Sequence, residues 1–252
     1  MRKRIGGLLS CALVLGCFCG AVLSFGGTEL YDCMTGLTGT SAAVSEPVTN
    51  QPRPMVILDA GHGGEDGGAV SAAGAAEKSL NLSIALTLGD MLRACGIDVI
   101  YTRTGDDGLY DGAATGHRKM ADLKNRLAVR QQYPDAVFLS IHMNTFSDPR
   151  CCGMQLFYSL NDPSSEVLAQ CLRDSCRRYL QPENNRVCRA ADASIYLLDR
   201  ADGTTVLAEC GFLSNPTEAA RLMTAEYREQ TAAVLCVGIL EYLTNQKESS
   251  VQ

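Results

Sequence analysis

This 252-residue sequence predicts an α/β fold. We expect a single three-layer domain in which helices flank a mainly parallel, open and twisted sheet. Short apolar runs, which are typical of buried strands, alternate along the chain with longer segments of helical periodicity. Three of the apolar runs lead directly to a titratable residue: His62, His142 or Glu209. Because the C-terminal ends of parallel strands meet at one edge of a sheet, where ligands bind in such folds, we expect a functional site there.

The N-terminus has the features of a segment that directs export. Arg2-Lys3-Arg4 precede an uncharged stretch over residues 5–27, longer than the roughly 18 residues that indicate a membrane span. Residues 1–27 are therefore predicted to be a signal peptide or a retained membrane anchor, with the rest of the chain extracytoplasmic. Residues 28–53 are rich in Thr, Ser, Gly and Pro without periodicity, and we expect a flexible linker there.

The folded region is expected to begin with a buried strand over residues 56–58, whose apolar run leads to a histidine surrounded by glycines. His62 is therefore placed at the C-terminal end of a strand, where glycines let a substrate approach the backbone closely. A nucleotide-binding loop is disfavoured. The motif G-x-G-x-x-G would need a glycine where the chain has Asp66, and no Gly-Lys-Ser/Thr follows.

An amphipathic helix follows this loop and carries an acidic residue next to its start. Gly96 closes the helical pattern as a C-cap. We expect Glu77 to open this crossover helix and to face the same edge of the sheet as His62. The apolar face of the predicted helix consists of Leu80, Ile84, Leu88, Met91, Leu92 and Cys95.

Arg103 is the polar end of a second predicted strand, over residues 98–103, and two roles are open for it. It either binds a carboxylate of the substrate or forms a structural ion pair that shapes the loop, and we favour the structural role. A glycine-rich, acidic loop over residues 105–116 comes next, on the same edge of the sheet. His117 ends this loop outside any strand, so we expect it at the surface.

A helix over residues 119–132 leads to the strand that carries His142. Asn144, two residues further on, is expected to contact the substrate. The strand that ends at Glu209 completes the set of strand-end residues. The remaining predicted elements are a strand over 154–158, a helix over 164–180, a short strand over 196–198, a strand over 205–208, a helix start at 215–218, a final helix over 225–243 and a tail over 246–252.

His62, Glu77 and His142 provide two imidazoles and a carboxylate, which is the ligand set of a catalytic zinc site that leaves a fourth position for water. Glu209 would then serve as general base and general acid. The alternative is that strand-end histidines are hydrogen-bonded structural residues. Three titratable strand ends in a chain that has only three histidines favour the metal site.

Six segments of the sequence, taken together, form a recognisable series. They are Leu58-Asp59-Ala60-Gly61-His62-Gly63-Gly64, Asp66-Gly67-Gly68, Glu77-Lys78, Thr102-Arg103, Ser140-Ile141-His142-Met143-Asn144 and Glu209-Cys210-Gly211-Phe212-Leu213-Ser214-Asn215. In this order they resemble the signatures of the zinc-dependent N-acetylmuramoyl-L-alanine amidases of the third amidase family. They span about residues 54–243, and the compact region behind one hydrophobic segment is most similar to the spore-cortex, germination-specific branch. Ala60 stands where proline is common and Cys210 where valine or threonine is usual, and neither supplies the expected chemistry.

The resemblance implies that residues 54–245 form a catalytic domain with one Zn²⁺ per chain on His62, Glu77 and His142. The implied reaction hydrolyses the amide between the lactyl group of N-acetylmuramic acid and the L-alanine of the peptidoglycan stem peptide. Zinc would polarise the carbonyl, and Glu209 would pass the proton of the attacking water to the leaving amine. The alternatives are another zinc-dependent peptidoglycan hydrolase, such as a carboxypeptidase or a deacetylase, and a non-catalytic wall-binding protein.

The spore-cortex branch further implies a role in muramic lactam formation, in a pathway with a muramic deacetylase, and in some relatives a lipoprotein partner. This would place the protein in the forespore envelope of a spore-forming Gram-positive bacterium. Apart from such a partner we expect a monomer. The formal charge of −6, together with the absence of a basic cluster outside the N-terminus, argues against binding of nucleic acid.

Twelve cysteines in an exported chain would normally suggest disulfides. No C-x-x-C spacing occurs, which argues against a cysteine zinc site. The adjacent pair Cys151-Cys152 leaves a bridge to another cysteine or to a partner open. Four other cysteines lie on predicted apolar helix faces, where small buried hydrophobes explain them better: Cys95, Cys171, Cys176 and Cys236.

Overall fold

Strands and helices alternate along the chain in a computed structural model that describes residues 53–110 and 117–249. The expected export segment (1–27), the linker up to residue 52 and the last three residues lie outside the described residues. Within the described ranges, no helix is both long and apolar enough to cross a membrane. In chain order the elements are β1 (Met55–Ala60), α1 (Glu77–Ala94), β2 (Asp98–Tyr101), α2 (Arg118–Gln132), β3 (Val137–Asn144), β4 (Gln155–Tyr158), α3 (Ser164–Tyr179), β5 (Arg189–Ala190), α4 (Tyr196–Arg200), β6 (Thr205–Phe212), α5 (Pro216–Leu222) and α6 (Ala225–Ser249).

The six strands form one sheet in the order β2-β1-β3-β6-β4-β5. The four strands β2, β1, β3 and β6 pair in parallel, whereas β4 runs antiparallel to β6, and the two-residue β5 lies at the edge of the sheet beside β4. Parallel neighbours need a crossover connection, and α1 provides the one between β1 and β2. The predicted mainly parallel sheet is confirmed.

Helices cover both faces of this sheet and form the predicted three layers. Side chains of a strand alternate between its two faces, so Val56 and Leu58 enter a large core under α1, α3 and α6, while Ile57 enters a smaller core on the opposite face. Leu123 of α2 and Leu198 of α4 pack in that second core. The central parallel strands β1, β3 and β6 are thus buried on both sides, as expected for crossover topology.

Residues 196–198 belong to the helix α4, so the short strand that we predicted there is wrong. The amide of Ala201 donates to the carbonyl of Leu197 at 2.8 Å, which is an α-helical hydrogen bond. Leu197 and Leu198 are buried in the second core from this helix. A run of three apolar residues is too short for its periodicity to distinguish a strand from a helical turn.

The predicted start of α5 is confirmed, while α6 is longer than predicted. The side chain of Asn215 accepts a hydrogen bond from the amide of Glu218 at 2.9 Å, and Pro216 occupies the first helical position. The helix α6 continues to Ser249, into the segment that we expected to be a tail. No glycine or proline follows in 246–252 to end the helix earlier.

The cysteines in the described ranges form no disulfide with one another. Cys176, Cys210 and Cys236 are buried in the core, which is consistent with small hydrophobic side chains. Cys152 is exposed and its neighbour Cys151 is half-buried. Within the described part of the chain, therefore, no disulfide contributes to the fold.

Candidate active site

Three neighbouring parallel strands bring the strand-end residues to one edge of the sheet. Ala60 at the end of β1 pairs with Ile141 of β3. The next residue of β3, His142, lies directly opposite Glu209 of β6. His62 follows β1 by two residues. All three predicted strand-end residues therefore lie together at the C-terminal edge of β1, β3 and β6.

His62, Glu77 and His142 form a compact cluster of metal-ligating side chains. One nitrogen or oxygen atom from each lies within 4.8 Å of the others. The two imidazole rings meet edge to face, with centroids 4.9 Å apart. Two histidines and one carboxylate match the donor set of a catalytic zinc site with room for a further ligand. The side chains present therefore fit a zinc ion.

Glu77, the first residue of α1, is the centre of this cluster. Its Oε1 atom lies 2.9 Å from Nδ1 of His142 and 3.3 Å from Nε2 of His62. Oε1 also accepts a hydrogen bond from the amide of Met143 at 2.9 Å, and Oε2 accepts one from the amide of Ala69 at 2.8 Å. The carboxylate is therefore held by the backbone on both sides, and its position is fixed independently of the histidines.

The surroundings of Glu77 keep its carboxylate ionised. Burial alone would raise the pKa of Glu77, but hydrogen bonds from His142 and His62, and the charge of both imidazoles, bring it well below its ordinary value. Burial opposes protonation of His62, yet Glu77 and Asp66 beside it raise the pKa of this imidazole above its ordinary value. A negative carboxylate between two imidazoles is an environment that attracts a cation.

His62 has an unusual backbone conformation, with a φ of 62°, the only positive value of a non-glycine residue among the described residues. This left-handed conformation costs a residue with a Cβ atom about 1–2 kcal/mol. The Nδ1 atom of the ring lies 2.9 Å from Oδ2 of Asp66, four residues on. The neighbouring carboxylate thereby orients the imidazole and leaves Nε2 on the side of Glu77.

Two glycines allow the side chains of the site to approach so closely. A Cβ atom on Gly61 would lie 2.2 Å from the imidazole of His142. On Gly68, whose φ is 64°, it would lie 2.5 Å from Oε2 of Glu77 and 2.7 Å from Cδ2 of His62. Any larger residue at either position would displace a member of the cluster.

Glu209 has the surroundings of a proton-transfer residue. Its Oε2 atom is inaccessible to solvent and has no hydrogen-bond partner among the described residues. Burial raises the pKa of Glu209 to about 7, against the opposing charges of His142 and His62, and the nearby Glu77 carboxylate adds to the increase. A carboxyl group in this range can both accept and donate a proton near neutral pH.

Among the described residues Arg103 bonds to carbonyl groups, and the structural ion pair that we favoured for it is not found there. The side chain is buried, and its guanidinium donates to the carbonyls of Ala60 at 2.9 Å, Gly61 at 3.0 Å, Lys78 at 2.8 Å and Gly105 at 2.8 Å. These bonds use most of its N–H groups. Substrate binding by Arg103 stays a prediction.

Asn144 lies at the end of β3, on the strand that carries His142, whereas His117 lies outside the cluster. Asn144 is half-buried at the end of β3, and its carbonyl accepts a hydrogen bond from the amide of Leu213 at 2.8 Å. His117 is exposed and precedes α2, as expected for a surface histidine, and it is not part of the metal-ligating cluster. Asn144 thus remains available at the edge of the site.

Sequence reasoning assigned no role to three residues that support the cluster. Asn81 is buried one helical turn after Glu77 and donates to Oε1 of Glu77 at 3.3 Å and to the carbonyl of Gly61 at 3.1 Å. Its i, i+4 spacing from Glu77 was a usable signal. Asp66 belongs to a quoted signature, but nothing in the spacing indicated a bond to His62. Arg126 lies within the helix that we predicted over residues 119–132, and a helical pattern does not reveal what a side chain contacts.

An α/β domain with a histidine–carboxylate cluster at the ends of its parallel strands, and a buried glutamate beside the cluster, has the arrangement of a metal-dependent hydrolase. The comparison with protein families specifies the class. A family profile described as N-acetylmuramoyl-L-alanine amidase matches residues 56–241. The chain belongs to this family of amidases, as the resemblance predicted.

Individual relatives agree with the family assignment. The germination-specific N-acetylmuramoyl-L-alanine amidase of Bacillus subtilis (strain 168) is 34% identical over 192 residues, which cover 75% of this chain and 80% of that protein. The CwlD amidase of Clostridioides difficile, solved in complex with the GerS lipoprotein, is 36% identical with a TM-score of 0.73, covering 76% of this chain and 99% of that one. The catalytic domain of the amidase CwlV of Bacillus (Paenibacillus) polymyxa var. colistinus is 28% identical with a TM-score of 0.63, covering 76% and 98%. The chain is therefore an amidase with the predicted fold.

Proposed function

We propose that this amidase uses one Zn²⁺, held by His62, Glu77 and His142, to hydrolyse the amide between the lactyl group of N-acetylmuramic acid and L-alanine. The family assignment supports the bond that is cleaved. The observation that carries the mechanism is the position of Glu209, whose buried, unpartnered Oε2 lies at the strand end opposite His142. A purely structural glutamate would have a hydrogen-bond partner at this depth.

Glu209, Asp66 and Asn144 have separate roles in the proposed reaction. Bound zinc would supply Lewis-acid polarisation of the substrate carbonyl and would lower the pKa of a water molecule. Glu209 takes the proton of the attacking water and gives it to the leaving amine of L-alanine. Asp66 keeps the imidazole of His62 oriented, and Asn144 at the edge of the site contacts the peptide. Amide cleavage follows when the protonated amine departs.

The reaction product tests the proposed function. Peptidoglycan incubated with the purified full-length chain should yield intact stem peptides with a free L-alanine amine, and glycan strands with free muramic lactyl carboxylates. Mass spectrometry of the muropeptides distinguishes these products from single amino acids, which a carboxypeptidase would release, and from acetate, which a deacetylase would release. No product at all would favour a wall-binding protein.

The metal ligands can be tested by the zinc content of variants. His142→Ala should lose nearly all bound zinc, because a three-ligand site that loses a ligand binds far more weakly. The matched control is His117→Ala, which removes the exposed histidine before α2 and should keep about one ion per chain. Elemental analysis of both purified proteins measures their zinc content. Full zinc occupancy in His142→Ala would refute the assignment of His142 as a zinc ligand.

Replacing Glu209 should separate zinc binding from catalysis. Glutamine at this position keeps the size of the side chain but cannot accept a proton, so we expect Glu209→Gln to lower kcat by about 10²- to 10⁴-fold at unchanged zinc content. The control is Glu241→Gln. Glu241 lies on α6 and forms a surface ion pair with Arg178, so this variant should retain activity. Zinc loss in Glu209→Gln would identify it as a ligand. A kcat above about a tenth of the wild-type value would deny it the proton-transfer role.

We propose further that the enzyme acts outside the cytoplasm on spore cortex, in the formation of muramic lactam, with a lipoprotein partner. The similarity to the germination-specific amidase and to an amidase solved with a lipoprotein supports this. Spores of the source organism that lack this protein should contain cortex without muramic lactam, as measured in muropeptide digests. Normal lactam content would instead favour a vegetative role.

A further inference from the structure

Arg126 is a buried arginine that the proposed reaction does not use, and it connects α2 to the loop that carries His62. Its side chain is almost completely inaccessible, with 1% relative exposure. One guanidinium nitrogen donates to Oδ1 of Asp59 at 2.5 Å and to the carbonyl of Ala60 at 2.9 Å. The other terminal nitrogen donates to the carbonyl of His62 at 2.7 Å. The planar guanidinium therefore holds both ends of a three-residue segment.

Two carboxylates and two hydroxyl groups fix the orientation of this guanidinium. Asp122, one turn before Arg126 on α2, accepts from its Nε at 2.6 Å. Asp59 is fully buried, and its carboxylate accepts from Ser140 at 2.6 Å and from Thr102 at 2.7 Å as well as from Arg126. Because its acceptors lie on β1, on the loop after β1 and on α2 itself, the guanidinium is held in one orientation.

The segment that Arg126 holds is the one with the strained backbone. His62 has its φ at 62°, and a non-glycine residue keeps such a conformation only where its surroundings determine it. Arg103 adds bonds to the carbonyls of Ala60 and Gly61. Every carbonyl from Ala60 to His62 thus accepts a hydrogen bond from a buried guanidinium, and only Arg126 reaches the carbonyl of His62 itself.

We propose that Arg126 is a positioning residue, which holds His62 in its left-handed conformation and so sets the geometry of the metal site before metal binds. The inference rests on the proposed zinc site. Without the bond to its carbonyl, His62 would relax toward a common backbone conformation and turn its imidazole away from Glu77. The imidazole of His62 would then have to return to its position each time zinc binds, and this would lower the affinity for zinc.

Arg126→Lys is the informative variant, because lysine keeps the positive charge beside Asp59 but lacks the planar fork that reaches two carbonyls at once. Arg130→Lys is its matched control. Arg130 lies on the same helix, is equally buried, and donates to the carbonyls of Tyr133 and Pro134 at 2.6 and 3.1 Å. Those carbonyls precede β3, at the opposite edge of the sheet from His62.

Zinc affinity, measured by competition with a chelator, should fall about 10- to 100-fold in Arg126→Lys, the range typical of residues that orient metal ligands. In Arg130→Lys it should stay at the wild-type value. The absorption spectrum of the Co²⁺-substituted protein reports ligand geometry, and it should change in Arg126→Lys alone. Hydrogen exchange over residues 59–66 of the metal-free chain should accelerate in the same variant, which tests the loop without any metal.

The outcomes separate this inference from the zinc site itself. A wild-type chain that binds no zinc would overturn both. A wild-type chain that binds zinc, together with an Arg126→Lys variant of equal affinity, Co²⁺ spectrum and exchange rate, would overturn the positioning role alone. Equal losses in both lysine variants would show a general loss of stability instead. If Arg126→Lys does not fold, the double variant Asp59→Asn/Arg126→Gln, which removes both buried charges together, takes its place with the same expectations.

Discussion

The register of the three parallel strands β1, β3 and β6 is the constraint on which the active site depends. Their hydrogen bonds place Ala60 beside Ile141 and His142 beside Glu209. A slip of one residue would turn every side chain of a strand to the opposite face. Because separate hydrophobic cores bury both faces of these strands, such a slip would disrupt packing on both sides. The buried side chains of these strands, although they lie away from the site, therefore fix the register that places His142 opposite Glu209.

The ionisable groups beneath the site are arranged in two different ways. Asp59 and Arg126 neutralise each other, and the hydrogen bonds around them leave few polar atoms without partners, which offsets the cost of burying charge. Glu77 is likewise surrounded by donors. Glu209 differs, since it is buried without such compensation. The charges of Asp59, Arg126 and Glu77 are thus compensated by their partners, whereas the carboxyl group of Glu209 is not, which agrees with the proton-transfer role that we propose for it.

The sequence predicted most of the fold because hydrophobic periodicity reports burial, and the strand-end residues followed from parallel topology. His62, His142 and Glu209 could be placed together because each ends an apolar run. The supporting contacts of Arg126 could not be foreseen, since they depend on how far a side chain of α2 reaches across the sheet. The helix α4 was missed for a related reason, because three apolar residues carry no period. Periodicity reveals which face a residue occupies, but not which atoms it meets.

The order of the strands in the sheet has a kinetic consequence. The chain order is β1, β3, β6 with long crossovers between them, so the contacts that complete the site join distant parts of the sequence, and folds rich in such contacts form slowly. The last of these strands brings Glu209. A chain in which β6 has not yet joined the sheet lacks Glu209 beside the cluster. Under the proposed mechanism such a partly folded chain is inactive, whatever the state of its metal ligands.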